Sequence, residues 1–350
     1  MRFSVFVVLI LGLLGAGAVL NLHSFNHFKV IERSFDGQCE PVRGIPGSED
    51  IQIAGGRRAF ISSRDRRGGA ERGAIHIFDL DEPLAADSWR DRTNGQPAVF
   101  KPLGIDYFED SDVRRLFVVN EANAAIEMFD VQDNGDLVHL ETFAERRLNS
   151  PNNVVAVGRR SFYVTNDVRP GRNTLLASLH FLSRTGSGEV LFTDGTVWRV
   201  VADGLRYANG IELSADQKRL YVAETAAAAL MVFDRDTVTG SLTAIDTIEL
   251  DSAPDNISID AEGALWVAAL PKPLAVSRFA KNADVKAPSQ IWRIREGERL
   301  VIIYRDNGEE LSASTAAAHI GGTLLIGAVH EDKFLYCQLP GQSDEASTTP

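Results

Sequence analysis

Basic residues are scarce in this 350-residue chain relative to acidic ones. Lysine and arginine total 36 against 48 aspartates and glutamates, which gives a formal net charge of −12 at pH 7. Nucleic-acid backbones are bound by clustered lysine and arginine, so this balance argues against a nucleic-acid partner. The same acidity suits a divalent cation and neutral substrates, although a need for solubility alone can also produce it.

Cysteine is rarer still, with only Cys39 and Cys337 near the two ends of the chain. In an oxidising compartment, two such thiols favour a single disulfide that closes the chain, and two buried free thiols are the alternative. Clusters of histidine and cysteine with the spacing of metal ligands are also lacking. Their absence argues against a zinc site.

The first twenty residues carry an export signal. Arg2 precedes the uncharged apolar run from Phe3 to Leu20, and Ala16-Gly17-Ala18 offers a small-residue cleavage site before Val19. The run is also about as long as a membrane-spanning helix. We therefore expect residues 1–20 to be a signal peptide or an N-terminal membrane anchor. The folded part is expected outside the cytoplasm, whether secreted, periplasmic or anchored facing outward.

From about residue 50 onward, short β-branched or aromatic segments alternate with turns rich in Gly, Asp, Asn or Pro. Examples are residues 116–119, 162–165 and 264–268. Repeats of roughly 45–55 residues with about four strands each are typical of a β-propeller, and about 300 residues then make about six blades. A β-sandwich rarely needs so many strands. We predict an all-β fold, a six-bladed β-propeller over residues 21–340 with a central channel, followed by a flexible tail at 341–350.

Residues 174–184 break the β pattern. They place Leu175, Leu176, Leu179 and Leu182 at helical spacings. An amphipathic helix on a propeller face could serve as a lid or as a membrane contact, and packing on the rim is the alternative. With the N-terminal segment, this helix suggests membrane association.

Oxygen-bearing side chains recur at blade-scale spacing, mostly just before an apolar strand. A single Asn in a turn is usually a turn former, but calcium prefers carboxylate and amide oxygens drawn from several elements. The joint pattern therefore favours a calcium site in the channel. The residues are Glu49-Asp50, Asn152-Asn153, Asn166-Asp167, Asn209 and Asp255-Asn256.

Several motifs resemble those of the serum paraoxonases (arylesterases) and occur in that family's order. They are GSED at 47–50, FYVTND at 162–167, ANGI at 208–211, DNISID at 255–260, LLIGAV at 324–329 and LYCQL at 335–339. The similarity runs from about Cys39 to Leu339 and includes both cysteines. Gluconolactonase-like propellers resemble the chain more distantly.

The resemblance implies two calcium sites in the channel. A catalytic calcium would be held by Glu49, Asn152, Asn209, Asp255 and Asn256. A structural calcium would be held by Asp50, Asn153 and the backbone of Ile105. Because Asn153 is an amide where the family has an aspartate, we expect the structural site to be weak or lost.

The resemblance further implies a hydrolase of lactones and aryl esters, in which calcium polarises the carbonyl and activates water. The family's pair of histidines near the metal corresponds here to Leu103 and Glu121. Leu103 cannot move a proton. Glu121 could do so if burial raises its pKa, whereas a solvated rim carboxylate is the alternative. We therefore expect either that Asp255 or Glu121 is the base, or that catalysis is weaker.

Two other functions remain open at this point. The missing histidines also suit a non-catalytic, calcium-stabilised propeller that binds or assists a membrane or secreted partner. A strictosidine-synthase-like condensing enzyme would share the fold class but would lack the calcium ligands.

Overall fold

The computed structural model describes residues 17, 19–55, 57–81 and 89–340. Strands numbered along the chain form six sheets within these residues. The predicted signal or anchor at 1–20 lies largely outside the described residues, and the predicted tail at 341–350 lies wholly outside them. Among the helices that are described, none is both long enough and apolar enough to cross a membrane.

Each sheet is one blade, and the first three follow each other along the chain. From the inner strand outward, the first blade consists of β2 (Ser48–Ala54), β3 (Arg58–Ser63), β4 (Ala74–Asp79) and β5 (Trp89–Asp91). The second consists of β7 (Pro102–Glu109), β8 (Arg114–Asn120), β9 (Ala125–Val131), β10 (Leu137–Ala144) and the short β6 (Thr93–Asn94). The third consists of β11 (Pro151–Ala156), β12 (Phe162–Asn166), β13 (Gly188–Thr193) and β14 (Trp198–Leu205).

The last three blades complete the ring. The fourth consists of β15 (Ala208–Leu213), β16 (Arg219–Glu224), β17 (Ala229–Arg235) and β18 (Leu242–Glu249). The fifth consists of β19 (Ala253–Ile259), β20 (Leu265–Leu270), β21 (Ser289–Ile294) and β22 (Val301–Asp306). The sixth consists of β23 (Ser314–Ile320), β24 (Thr323–Ala328), β25 (Lys333–Gln338) and β1 (Gln38–Arg43). The inner strands contact one another in sequence and β23 contacts β2, so the predicted six-bladed propeller is confirmed.

The start of the chain closes the ring by adding β1 antiparallel to β25 as the outer strand of the last blade. Cys39 lies opposite Cys337 in this pairing, and the two form a disulfide across 298 residues. Of the two alternatives for the cysteines, the disulfide is therefore the one present.

The hydrophobic core lies between neighbouring blades. Along β8, Leu116 and Val118 pack towards the first blade, whereas Phe117 and Val119 pack towards the third. A middle strand buried on both faces needs an uninterrupted apolar run, because successive side chains point to opposite faces of the sheet. This requirement explains why the middle strands carry the clearest apolar runs in the sequence.

Two helices lie in loops at one end of the channel. The predicted helix is confirmed as α1 (Leu175–Ser183), whose first turn is capped by the Thr174 hydroxyl accepting from the Ala177 N–H at 3.0 Å. The second, α2 (Pro273–Phe279), was not predicted and begins with a proline. Both follow the second strand of their blade, β12 and β20, at the end where the inner strands begin.

Candidate active site

The predicted ligand residues lie where the inner strands begin. At this level the register of every inner strand is irregular, and the backbone there leaves the regular ladder with its neighbour. Such irregularities redirect side chains. Glu49, Asn152, Asn209 and Asp255 line a cleft of about 940 Å³ at this end of the channel.

Gly210, next to Asn209, allows two of these strands to approach closely. A Cβ at position 210 would lie 2.5 Å from the carbonyl oxygen of Asp255 and 2.7 Å from the Cα of Asn256. A side chain of any size would therefore push β15 away from β19. The glycine of the ANGI motif sets the spacing between ligands from adjacent blades.

Three side-chain oxygens from three blades are buried with no hydrogen-bond donor among the described residues. They are Glu49 Oε2, Asn152 Oδ1 and Asn209 Oδ1. Leaving a buried oxygen unpaired is costly, and its presence calls for an explanation. Oxygen-only donors from a carboxylate and two amides suit calcium, so these residues fit the predicted ion.

A fourth inner-strand oxygen at this level was not predicted. Thr315 Oγ1, on β23, is likewise buried without a partner among the described residues, and Thr315 lines the same cleft. Only the blade repeat could have indicated it, because one threonine at the start of an alanine-rich strand carries no local signal.

Hydrogen bonds orient the amide side chains of two ligand candidates, Asn256 and Asn209. Asn256 donates from Nδ2 to the backbone carbonyl of Glu49 at 2.9 Å and accepts at Oδ1 from Asn153 at 2.8 Å. Asn209 donates from Nδ2 to Thr225 Oγ1 at 3.1 Å. Asn209 Oδ1 accepts no hydrogen bond from the described residues and Asn256 Oδ1 accepts one, so each amide oxygen keeps a lone pair for an ion.

Three buried carboxylates crowd this level of the channel. Burial raises the pKa of Asp255 well above its ordinary value, and the charge of Glu49 raises it further. The pKa of Glu49 and that of Asp50 are also raised, chiefly by burial. A bound divalent cation would remove this penalty by favouring the ionised forms. The electrostatics therefore agree with the geometry.

The residues implied for a second calcium are engaged with each other. Asp50 accepts at Oδ2 from the Ile105 backbone N–H at 2.9 Å and from Asn153 Nδ2 at 3.3 Å. Asp50 Oδ1 accepts from the Ile51 N–H at 2.9 Å. Asn153 places an N–H donor where the resemblance implies a carboxylate, so this arrangement does not fit a second cation.

The two positions that correspond to the family's histidines do not form a proton relay. Leu103 is buried in the core between the second and third blades. Glu121 accepts from Arg64 at 2.8 Å and from Arg172 at 3.0 Å. Burial opposes its ionisation, but Arg172 and Arg64 outweigh burial and lower the pKa of Glu121. The condition under which Glu121 could move a proton, a pKa raised by burial, is therefore not met. The pairing with two arginines from distant loops has no sign in the sequence around Glu121.

Asn166 and Asp167, also singled out in the sequence, support the loops around the cleft. Asn166 accepts from the Ser150 N–H at 2.8 Å and donates to the Arg147 carbonyl at 2.8 Å. Asp167 accepts from Arg172 Nε at 2.6 Å. Both therefore position the chain that enters β11 and leaves β12.

Several residues that line the cleft were missed in the sequence. They include Arg64, Arg66, Arg172 and Tyr207. Tyr207 has a φ of 65°, a backbone conformation that costs free energy for a residue with a side chain. Burial and the charge of Asp167 raise its pKa. The arginine-rich run at 64–67 indicates a local positive charge in the sequence. Nothing in the sequence indicates that the loop carrying it lies at the cleft.

Comparison with known proteins shows which family the chain belongs to. An arylesterase family model matches residues 31–339. The chain is 34% identical over 319 residues to human serum paraoxonase/arylesterase 1, covering 86% of this chain and 88% of the relative. It is 32% identical over 334 residues to rabbit serum paraoxonase/lactonase 3, covering 91% and 93%.

Two solved structures share the fold at low identity. One is a gluconolactonase from Xanthomonas campestris, with a TM-score of 0.57 and 19% identity over 88% of this chain and 91% of that one. The other is regucalcin from Agrobacterium tumefaciens, a calcium-binding protein, with a TM-score of 0.53 and 16% identity over 84% and 90%. On the match of the family model to most of its length, this chain belongs to the arylesterase family.

Proposed function

We propose that this protein is a calcium-dependent hydrolase of lactones and aryl esters. The observation that carries the proposal is the convergence of unpartnered, buried oxygens from Glu49, Asn152 and Asn209 beside the Asp255 carboxylate. The names of its relatives, paraoxonase, arylesterase and lactonase, support ester or lactone hydrolysis as the reaction.

One calcium ion is expected in the channel. It would be held by Glu49, Asn152, Asn209, Asp255 and Asn256, whose two carboxylates match its charge. When bound, calcium supplies Lewis acidity that polarises a substrate carbonyl and stabilises the negative charge that develops on its oxygen. The chain itself holds the ligands in place: Thr225 accepts from the Asn209 amide and donates to the Pro254 carbonyl at 2.8 Å, which links two blades at the site.

We propose Asp255 rather than Glu121 as the general base. One Asp255 carboxylate oxygen would accept the proton of the attacking water, since Asp255 lines the cleft beside the other proposed ligands. Both Glu121 oxygens are held by arginines, and an acid whose pKa is lowered is a weaker base. Leu103 contributes an apolar surface at this point and no proton transfer.

The test is a panel of lactones and aryl esters with and without a calcium chelator. Wild type should lose activity under exhaustive chelation and recover it when calcium is restored. Asn209→Ala should lose activity and calcium affinity together, whereas Asn94→Ala, an exposed position on β6, serves as the matched control. Full activity without calcium would refute the proposal, and calcium binding without any turnover would favour a non-catalytic calcium-stabilised propeller.

The apolar surface beside the cleft supports a second part of the proposal, association with a membrane outside the cytoplasm. Leu175, Leu176, Leu179 and Leu182 of α1 are all exposed. The N-terminal segment lies against this helix: Phe25 stacks on Phe181 at 5.4 Å, and Asn21 donates to the Leu182 carbonyl at 2.8 Å. An apolar helix face next to a second apolar segment suits insertion at a lipid interface. Flotation with phospholipid vesicles tests this, and equal recovery of wild type and Leu175→Ser/Leu179→Ser would refute it.

A further inference from the structure

The cleft has two chemically different halves. Its cationic side chains come from loops of the first three blades: Arg64 and Arg66 follow β3, Lys101 precedes β7, and Arg172 follows β12. The lining of the other half comes mainly from α1 and the last three blades and is largely apolar. It includes Phe181, Tyr207, Leu270, Leu274, Val276 and Val329.

Most of the cationic side chains are paired with a carboxylate. Arg172 binds Asp167 at 2.6 Å, and Arg172 and Arg64 share Glu121. Lys101 binds Glu71 at 2.8 Å. These contacts neutralise three of the four cations, so the two halves of the cleft differ by less charge than the residue types suggest.

Arg66 differs from the other cations of the cleft. Within the described part of the chain, no carboxylate oxygen lies within 4 Å of its guanidinium nitrogens. Its hydrogen bonds are long ones to two backbone carbonyls, Gly47 at 3.3 Å and Pro102 at 3.4 Å. Burial lowers the pKa of Arg66 to about 10, which still leaves it charged at neutral pH. It is therefore a charged side chain of the cleft lining whose guanidinium has no carboxylate partner among the described residues.

The charge of Glu49 does not compensate Arg66 once the site is complete. Glu49 and Asp255 together match one calcium ion, and Asp50 lies beneath the cleft with its oxygens taken by N–H donors. Arg64 contributes one further donor, because its Nε is buried with no partner among the described residues. A calcium-loaded cleft therefore retains the uncompensated positive charge of Arg66 in its lining.

We propose that Arg66 binds a carboxylate on the substrate, so that the preferred substrates are lactones or esters that carry an acid group. This inference rests on the proposed function of the same site. A guanidinium offers paired N–H donors that match a carboxylate, and such charge-assisted bonds are stronger than neutral ones. Gly47 and Pro102 immediately precede Ser48-Glu49 and Leu103. An acid group held there places the rest of the molecule over the calcium ligands and against the apolar half.

The test compares two substrates of the same size, 5-oxotetrahydrofuran-2-carboxylate and its primary carboxamide, on the calcium-loaded full-length protein. We expect wild type to prefer the acid by at least about tenfold in kcat/KM. In Arg66→Gln the ratio of the two substrates should fall to about one or below, and Arg66→Lys should recover part of it. Using a ratio within each variant removes changes in folding or in calcium loading.

The control is Arg67→Gln, which removes the same charge one residue away. Arg67 donates to the carbonyls of His330 at 2.7 Å and Phe279 at 3.0 Å and does not line the cleft. It should keep the preference for the acid. An acid preference that is absent from wild type, or equal in wild type and Arg66→Gln, would overturn the inference.

A binding measurement separates this inference from the proposed hydrolysis. Calorimetry with 3-oxocyclopentane-1-carboxylate, which has no hydrolysable bond, should give binding to calcium-loaded wild type that is weakened about tenfold or more in Arg66→Gln. If no lactone is turned over but this difference holds, the proposed reaction is wrong and the anion site stands. Equal affinity in the two proteins would overturn the anion site whatever the activity.

Discussion

Asn256 donates a hydrogen bond from its side-chain amide to the backbone carbonyl of Glu49 at 2.9 Å, although 207 residues separate them. The bond joins the inner strands of the fifth and first blades at the level of the calcium ligands. These two strands come together only when the ring is closed. Integrity of the site therefore depends on closure of the propeller.

The disulfide between Cys39 and Cys337 is expected to stabilise this closure. Replacing both Cys39 and Cys337 with serine should lower the free energy of unfolding by about 5 kcal/mol, because the unfolded chain regains the entropy of a very long loop. Urea unfolding of wild type and variant, each with and without reductant, measures the change. Reductant should affect only wild type. Equal unfolding midpoints for the oxidised wild type and the variant would contradict this prediction.

Asn153→Asp should create the second calcium site that the wild-type residues do not fit. The substitution replaces the N–H donor between Asp50 and Asn256 with a carboxylate, and two carboxylates then face each other with the lone pairs a cation needs. We expect calcium stoichiometry to rise from about one to about two per chain. The variant should also be less stable than wild type in chelator, because the new charges repel. Unchanged stoichiometry would contradict this prediction.

Glu121→Gln separates the two candidate bases. The amide keeps one acceptor oxygen for one of the two arginines, and Arg172 also keeps its bond to Asp167. We therefore expect kcat/KM to stay within about tenfold of wild type and the acid side of its pH profile not to move. Asp255→Asn should lose at least about a hundredfold. Calcium titration of both variants shows whether the loss reflects metal binding. If the acid limb disappears in Glu121→Gln, Glu121 is the base.

His330 should make stability fall in acid. Burial, together with the positive charges of Arg66, Arg67 and Arg64, lowers the pKa of His330 to about 4. Between pH 6.5 and 4 the unfolded chain takes up a proton that the folded chain resists, so the free energy of unfolding falls as pH falls.

Replacing His330 with glutamine removes this contribution. The difference between wild type and His330→Gln should shift against wild type by on the order of 2 kcal/mol from pH 7.5 to pH 4, allowing for partial exposure. Urea unfolding at the two pH values measures it, and His23→Gln at an exposed position is the control. A difference that does not change with pH would contradict this assignment.

Much of this structure was predictable because its signals are local. A middle strand such as β8 shows its burial on both faces as an apolar run, and the glycine after Asn209 marks a close approach of backbones. The ligand candidates stand beside such strand starts. Blade spacing therefore brings residues that are far apart in sequence to one end of the channel.

What the sequence did not reveal depends on contacts between distant loops. Glu121 is separated from Arg64 by 57 residues and from Arg172 by 51, so its pairing and its lowered pKa have no local sign. Thr315 Oγ1 lies with the other unpartnered, buried oxygens only because Thr315 is on the inner strand of the sixth blade. The unpaired state of Arg66 likewise depends on which neighbours its loop meets.

Calcium binding and lactone turnover measured on one chelator-treated sample test the central claim most directly. We predict that metal-free protein is inactive, and that titration with calcium gives about one bound ion per chain, with activity rising in proportion to occupancy. In Asp255→Asn both signals should be lost together. Full lactone turnover by protein shown to be free of calcium, or calcium binding that leaves turnover unchanged, would contradict it.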